Sequence, residues 1–300
     1  MTRFGAAHPL PVRAPFRLDL TVDALRRLAS NAVDVVGPDG TYYRALRDAD
    51  GPTLLAIRQR DARSIEVRAT GRGAERWHPL VARMLGACVD LAEWYARSAR
   101  VRWLAPLAAA LRGLKPPRYP TLWEAFAHAI VFQQISIHAA AAIMRRSVDL
   151  LGESVAAGDL RCVAFPPAHR WLEASETQLR EAGISRNKVA HLRAAAGAFA
   201  EGAIDEIALE ALPTPEAGAR LCQIRGIGAW SAAVILLRGL GRLDTFPLRD
   251  SGVARSLALL AGGAQVDQSE LLETLGTARG MLYYHLLLGR MRNLAPKGTG

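Results

Sequence analysis

A two-part α+β chain, a small antiparallel sheet followed by an all-helical domain, is predicted by three observations. Polar and apolar residues alternate with period two only in the N-terminal part, as in Ser64-Ile65-Glu66-Val67-Arg68-Ala69, which is the spacing of a strand with one buried face. Near Trp77 the pattern changes to apolar stretches separated by Gly, Pro and N-capping residues, the punctuation of helices. At 300 residues the chain exceeds one typical domain and can bury two cores. The expected division is a mixed α/β part over residues 1–100 and a helical part over 101–300.

Taken in order, Pro15–Leu20 alternates and is read as a strand, with Val22–Ala29 as a helix packed on the sheet. Gly37-Pro38-Asp39-Gly40 is a turn signal before the strand Thr41–Ala45. Thr53–Ile57 and Ser64–Ala69 form a hairpin about a charged turn near Asp61. In the helical part, Thr121 and Glu124 make a capping box, and Ser136 restarts the helix, so two helices run in tandem to Leu151. Ser175 and Gln178 make a second box closed by Gly183, Ser185 caps a helix reaching Gly202, and another helix begins near Pro215. Leu114-Lys115-Pro116-Pro117 marks a boundary or hinge, and no internal repeat is visible.

Hydrophobic residues make up 50% of the chain and charged residues 22%, which excludes disorder and low complexity. Apolar runs such as Trp230–Leu237 fall short of the roughly 20 residues of a membrane helix. Met1–Phe16 lacks the apolar core of a secretion signal, so a cytoplasmic location is expected. Cys88, Cys162 and Cys222 offer no disulfide framework or CxxC ligand pair and are read as small buried hydrophobes. The seven histidines form no HExxH or deaminase pattern, so no metal held by side chains and no cofactor is expected. A net charge of +10, spread along the chain, favours a polyanionic partner.

The informative stretch is Leu221-Cys222-Gln223-Ile224-Arg225-Gly226-Ile227-Gly228-Ala229-Trp230-Ser231-Ala232-Ala233. An apolar helix runs into Gly-Ile-Gly near 225–228 and a second helix starts at once, so backbone N–H groups point outward at a helix N-terminus, a geometry that binds phosphate. Ile227 can fold back to pin the turn. Gly226-Ile227-Gly228 lacks the third glycine and the preceding strand of a dinucleotide fingerprint. Further on, Phe246-Pro247-Leu248-Arg249-Asp250 stops one segment and opens another, with Asp250 as N-cap or first-turn residue.

At this spacing the two features resemble the helix-hairpin-helix DNA glycosylase superfamily, in which a Gly-x-Gly hairpin is followed by a catalytic Asp that introduces the next helix. The segments Ala129–Ser136, Phe165-Pro166-Pro167, Gly183–Lys188, Ile227–Ala232 and Arg238-Gly239 recur in the order seen in bacterial inducible 3-methyladenine DNA glycosylases. The resemblance covers about residues 115–292. It implies base excision repair with double-stranded DNA carrying a damaged base as partner, a monomer without membrane association, and a monovalent cation at the hairpin carbonyls.

The same resemblance assigns roles. Asp250 is the catalytic carboxylate, set against a sugar on which oxocarbenium character develops. Trp230 stands where bifunctional relatives carry a lysine nucleophile, and the chain has only Lys115, Lys188 and Lys297, so a monofunctional glycosylase is expected. Trp230 and Gln134 are assigned to the base pocket, with Trp230 stacking on an electron-poor alkylated base. Gly226, Ile227, Gly228, Arg225, Ser231 and Arg249 are assigned to DNA contacts, and Tyr119 to the wedge that fills the gap left by the flipped nucleotide. Two positions depart from the family: Val234 replaces a pocket tyrosine, and Ala278 replaces a tryptophan. Tyr283, Tyr284 and His285 lie close by in sequence but, at consecutive helical positions, cannot all face one site. A non-catalytic DNA-binding module and a glycosylase for oxidised or deaminated bases are the alternatives.

Overall fold

Strand β1 (His8–Pro11) and helix α1 (Leu18–Arg26) open the chain, followed by β2 (Asp34–Val36), β3 (Tyr42–Asp48), β4 (Gly51–Asp61) and β5 (Ser64–Ala69). They are seen in a computed structural model that describes residues 3–71, 73–263 and 265–294. The strands form one antiparallel sheet in the order β1-β5-β4-β3-β2. The β4–β5 hairpin lies where the alternation placed it, with Ile57 opposite Val67. Strand β1 gave no alternating signal because two of its four residues are proline, tolerated because β1 is an edge.

Pro15–Leu20 is not a strand: α1 begins at Leu18. The reason lies in its two buried faces. Leu18, Val22 and Leu25 enter the core beneath the sheet, whereas Leu20 and Ala24 enter a second core shared with the C-terminal helices. Buried Phe16, two residues before this doubly buried helix, joins Leu18 and Leu20 in a period-two run that reads locally as strand alternation. Each Leu or Val so buried contributes about 1.5–3 kcal/mol, which outweighs local propensity.

The helical part comprises α2 (His78–Met84), α3 (Ala92–Ser98), α4 (Leu104–Ala110), α5 (Leu122–Val131) and α6 (Ile137–Leu151). Strands β6 (Glu153–Ala157) and β7 (Leu160–Ala164) follow, then α7 (Ala168–Glu173), α8 (Glu176–Glu181), α9 (Arg186–Ala200) and α10 (Glu206–Ala211). The chain continues through α11 (Thr214–Cys222), α12 (Ala229–Arg238), α13 (Ser251–Leu260), α14 (Gln268–Leu275) and α15 (Gly280–Met291). The β6–β7 hairpin departs from the all-helical reading of this part. It is explained by the outer face of the sheet, where Ala45 and Leu54 pack on Cys162 and Ala164. Helix α3, N-terminal to the boundary read at residue 100, packs with α4 and α14.

Capping follows the sequence closely. Ser136 and Ser185 cap α6 and α9, and the Ser175–Gln178 box is complete. The Thr121 box is only half made: Thr121 accepts from Glu124 N, but the Glu124 carboxylate turns to Arg44 of β3, 2.5 Å away. The Leu114–Pro117 segment is buried, with Lys115 N donating to Thr21 Oγ1 and Lys115 Nζ to Val89 O, so it is a packed connection and not a hinge. Cys162 is buried, but Cys88 and Cys222 are exposed, against the expectation for all three.

Candidate active site

Asp250 is the N-cap of α13: its Oδ1 accepts from Gly252 N at 2.8 Å and Val253 N at 2.9 Å. Its Oδ2 accepts from Trp230 Nε1 at 2.9 Å. The carboxylate therefore has three donors that fix its direction, one from the first turn of α12 and two from α13. It stays partly exposed and lines a cleft of about 1620 Å³.

The turn between α11 and α12 supplies the second wall. Gly226 has φ +87°, and a Cβ there would fall 2.3 Å from the His191 ring, so both backbone conformation and space require glycine. Gly228 is different, because a Cβ at that position meets nothing within 4 Å. It is the N-cap of α12 and no side chain caps that helix, leaving the first-turn N–H groups facing outward. Ile227 is buried and pins the turn, as expected. Of the turn carbonyls, Ile224 O accepts from Ile227 N and Gly226 O from Gln133 Nε2. A cation there would share those oxygens, and the chemistry below uses none.

The third wall is the connection from α5 to α6. Lys188 Nζ donates to Val131 O and Gln133 O at 2.8 Å each, closing the end of α5. Gln133 Nε2 also reaches Ser231 Oγ at 2.8 Å, tying this connection to α12. Gln134 follows with φ +55°. Among the described residues four non-glycine residues have positive φ, and three of them, Arg27, Gln134 and Arg249, line the cleft. Strain of this kind costs of order 1–3 kcal/mol per residue and persists where the surroundings enforce it.

Charge in the cleft is lopsided. Arg26, Arg27, Arg225, Arg249, Arg255, Arg290 and Arg292 line it against Asp23 and Asp250. Arg26 pairs with Asp23, and Arg292 with Asp19 and Asp23. Among the described residues, Arg225, Arg249, Arg255 and Arg290 make no ion pair.

Most of the sequence-assigned residues come together: Asp250, Trp230, Gly226, Ile227, Gly228, Arg225, Arg249, Ser231 and Gln134 all border the cleft. Three roles change. Tyr119 is buried, its ring stacked 4.3 Å from His128 and under the Arg238 guanidinium, so it is not a wedge. Ser231 is buried and occupied by Gln133, so it braces the turn. Trp230 spends its indole N–H on Asp250, which makes it a positioning residue as well as a wall. Val234 and Ala278 are buried in the two cores and do not line the cleft. Of the tyrosines, only Tyr283 faces it; Tyr284 donates to Pro117 O in the core. Sequence reasoning missed Ile135, an exposed apolar residue beside Gln134 on the cleft rim, and Arg27. Ile135 had a signal, since it sits inside the Ala129–Ser136 segment.

Residues 127–277 match the profile of a family described as HhH-GPD superfamily base excision DNA repair protein. A DNA-3-methyladenine glycosylase of Bacillus subtilis is 27% identical over 185 residues, 61% of each chain. The chain thus spans about three fifths of that curated relative. Among solved structures, a 3-methyladenine DNA glycosylase from Archaeoglobus fulgidus aligns over 96% of this chain and 100% of its own, with TM-score 0.79 and 25% identity. An 8-oxoguanine glycosylase/lyase from Clostridium acetobutylicum shares the fold at TM-score 0.75, with 16% identity over 97% of this chain and 99% of its own.

Proposed function

Because the chain belongs to the HhH-GPD superfamily of base excision DNA repair proteins, we propose that it is a monofunctional DNA glycosylase that excises alkylated purines, acting as a monomer on duplex DNA in the cytoplasm. The observation that carries this reading is Asp250, a carboxylate held by three N–H donors beside the uncapped α12 N-terminus in an arginine-lined cleft. The 3-methyladenine glycosylase activity for which the Bacillus and Archaeoglobus relatives are named supports it.

The chemistry follows from the placement. Gly228 N and the next α12 amides, with Arg225 and Arg249, bind phosphates and set register without reading sequence. Ile135, 39% exposed on a strained connection, is the apolar wedge that replaces the extruded nucleotide in the stack. The C1′–N bond breaks with its electron pair leaving on the base, and Asp250 stabilises the positive charge arriving on the sugar. Water then adds to C1′ and gives up a proton, leaving an intact strand with an abasic sugar. Lys188 is held by two carbonyls and Lys115 by Val89 O, and neither lines the cleft; Lys297 lies outside the described residues.

The test is base release from methylated duplex, scored as abasic sites. Asp250→Asn keeps an N-cap of equal rank, so the fold should survive, while release falls about a thousandfold. Borohydride should trap no adduct, and strands should break only after alkali. Full activity in folded Asp250→Asn, or trapping as fast as base release, refutes the mechanism. Tight duplex binding with no abasic product identifies a non-catalytic DNA-binding module instead.

A further inference from the structure

Arg27 is a buried cation that the mechanism above leaves unused. It follows α1 at φ +62°, where a non-glycine residue is strained. Arg238 fixes this helix end by donating to Ala24 O and Leu25 O. The Arg27 side chain is only 8% exposed, yet it borders the cleft. One guanidinium nitrogen donates to the Tyr283 hydroxyl at 2.9 Å, and its carbon lies 5.0 Å from the centre of the Phe132 ring. Its Nε is buried without a partner. Among the described residues it makes no ion pair with any carboxylate. Burial works against its charge, but the Tyr283 and Tyr119 phenols and the Asp250 carboxylate hold it protonated. Phe132, Tyr283 and Asp250 border the same cleft.

A buried guanidinium nitrogen without an acceptor is costly, and an acceptor entering the cleft that Arg27 borders can satisfy it. Breaking the C1′–N bond moves one electron pair from the sugar toward the base. Asp250 stabilises the sugar that loses it; a cation on the opposite side of the bond stabilises the base that receives it. A cationic alkylated purine departs neutral and needs little of this help, and in the ground state it is repelled by Arg27. A neutral base departs as an anion, which must be met by a donor and then take a proton from the water that adds to C1′. Only the second case draws full benefit from a fixed guanidinium.

We propose that Arg27 is the base-side counterpart of Asp250, a specificity-determining residue whose guanidinium, held by Tyr283 and Phe132, donates to the acceptor edge of an extruded neutral base and so extends release to neutral lesions. The assignment rests on the glycosylase reading of Asp250. It places a residue of the N-terminal α/β part inside the reaction, which gives that part a chemical role beyond support.

The test compares single-turnover base release from two duplexes, one carrying 7-methylguanine, a cation, and one carrying hypoxanthine, which is neutral with a carbonyl acceptor. The parent protein releases both. Arg27→Met lowers hypoxanthine release at least a hundredfold and 7-methylguanine release less than tenfold, while weakening neither duplex affinity nor the melting transition enough to account for the change. Tyr283→Phe, which keeps the ring and loses the hydrogen bond, shifts the ratio of the two rates in the same direction by about fivefold. If Arg27→Met fails to fold, the Tyr283→Phe ratio decides, and an unchanged ratio overturns the proposal. Equal losses on both duplexes assign Arg27 a structural role and also overturn it. A parent that releases 7-methylguanine but not hypoxanthine refutes Arg27 alone, whereas release of neither refutes the glycosylase reading itself.

Discussion

Two groups of arginines in this molecule are treated in opposite ways. Where the sheet meets α5, Arg44 is 1% exposed and its two terminal nitrogens are ion-paired, with Asp34 at 2.6 Å and Glu124 at 2.5 Å, only its Nε lacking a partner, and Tyr42 donates to Asp34 at 2.6 Å. Along the cleft, Arg225, Arg249, Arg255 and Arg290 have no carboxylate partner among the described residues, and buried Arg27 has only a phenol. The difference teaches where to look for function. The Arg44 pairs hold the two parts of the chain together, whereas arginines gathered along one cleft without carboxylate partners are free to meet a polyanion.

The comparison breaks if the paired arginine can be removed cheaply. Arg44→Met leaves Asp34 and Glu124 buried together without a cation, and removal of one partner from such a set costs about 3–5 kcal/mol. Denaturant unfolding should show that loss, with base release per folded molecule unchanged because Arg44 does not line the cleft. A loss under 1 kcal/mol would mean that the triad is not a tie between the two parts.

Glu124 gives the same comparison a pH dependence. Burial, opposed by Arg44 and reinforced by Asp34, pushes its carboxyl up to about 7 from an ordinary value of 4.5. The folded state therefore holds a proton that the unfolded state has released, so stability falls as pH rises from about 4.5 to 7. At about 1.4 kcal/mol for each pKa unit, the shift from 4.5 to about 7 corresponds to a loss of about 3.5 kcal/mol. Asp19, Asp39, Asp61 and Glu93, whose carboxyls are held below their ordinary values, act in the other direction and at lower pH. Glu124→Gln should flatten the decline between pH 5 and 7.5. An unaltered profile would assign the titration to another group.

How much of this was legible depended on whether a feature is local. The Gly-Ile-Gly turn, the Asp250 cap and the Ser136, Ser175 and Ser185 caps are each decided within a few residues, and all were readable. Helix α1 was misread because its second buried face belongs to helices far along the chain. Arg27 was invisible for a related reason: only folding brings the end of α1 against Phe132, Tyr283 and the Asp250 wall. Tyr119 was misassigned because a loop tyrosine before Pro120 looks exposed in sequence, whereas Arg238 and His128 enclose it. Glu124 completes a capping-box pattern, yet the buried Arg44 outcompetes the Thr121 N–H for its carboxylate.

The smallest effect lies in the backbone of the uncapped turn between α11 and α12. The two glycines are expected to fail differently. At Gly226 any side chain meets the His191 ring and an unfavourable φ, so Gly226→Ala should destabilise the fold and lower binding only through that damage. At Gly228 the backbone is extended, at φ −95° and ψ −178°, and the space is open. Gly228→Val should therefore fold, losing about 1 kcal/mol because valine is a poor N-cap. Its side chain would occupy the space in front of the α12 amides that a phosphate must enter. Duplex affinity should drop about tenfold, close to 1.4 kcal/mol, for damaged and undamaged DNA alike, because phosphate contacts carry no base information. Titrations of both duplexes at two salt concentrations check this. A folded Gly228→Val protein that binds as the parent does would assign DNA affinity to the unpaired arginines alone, and a loss confined to damaged duplex would move the turn from backbone contact to base recognition.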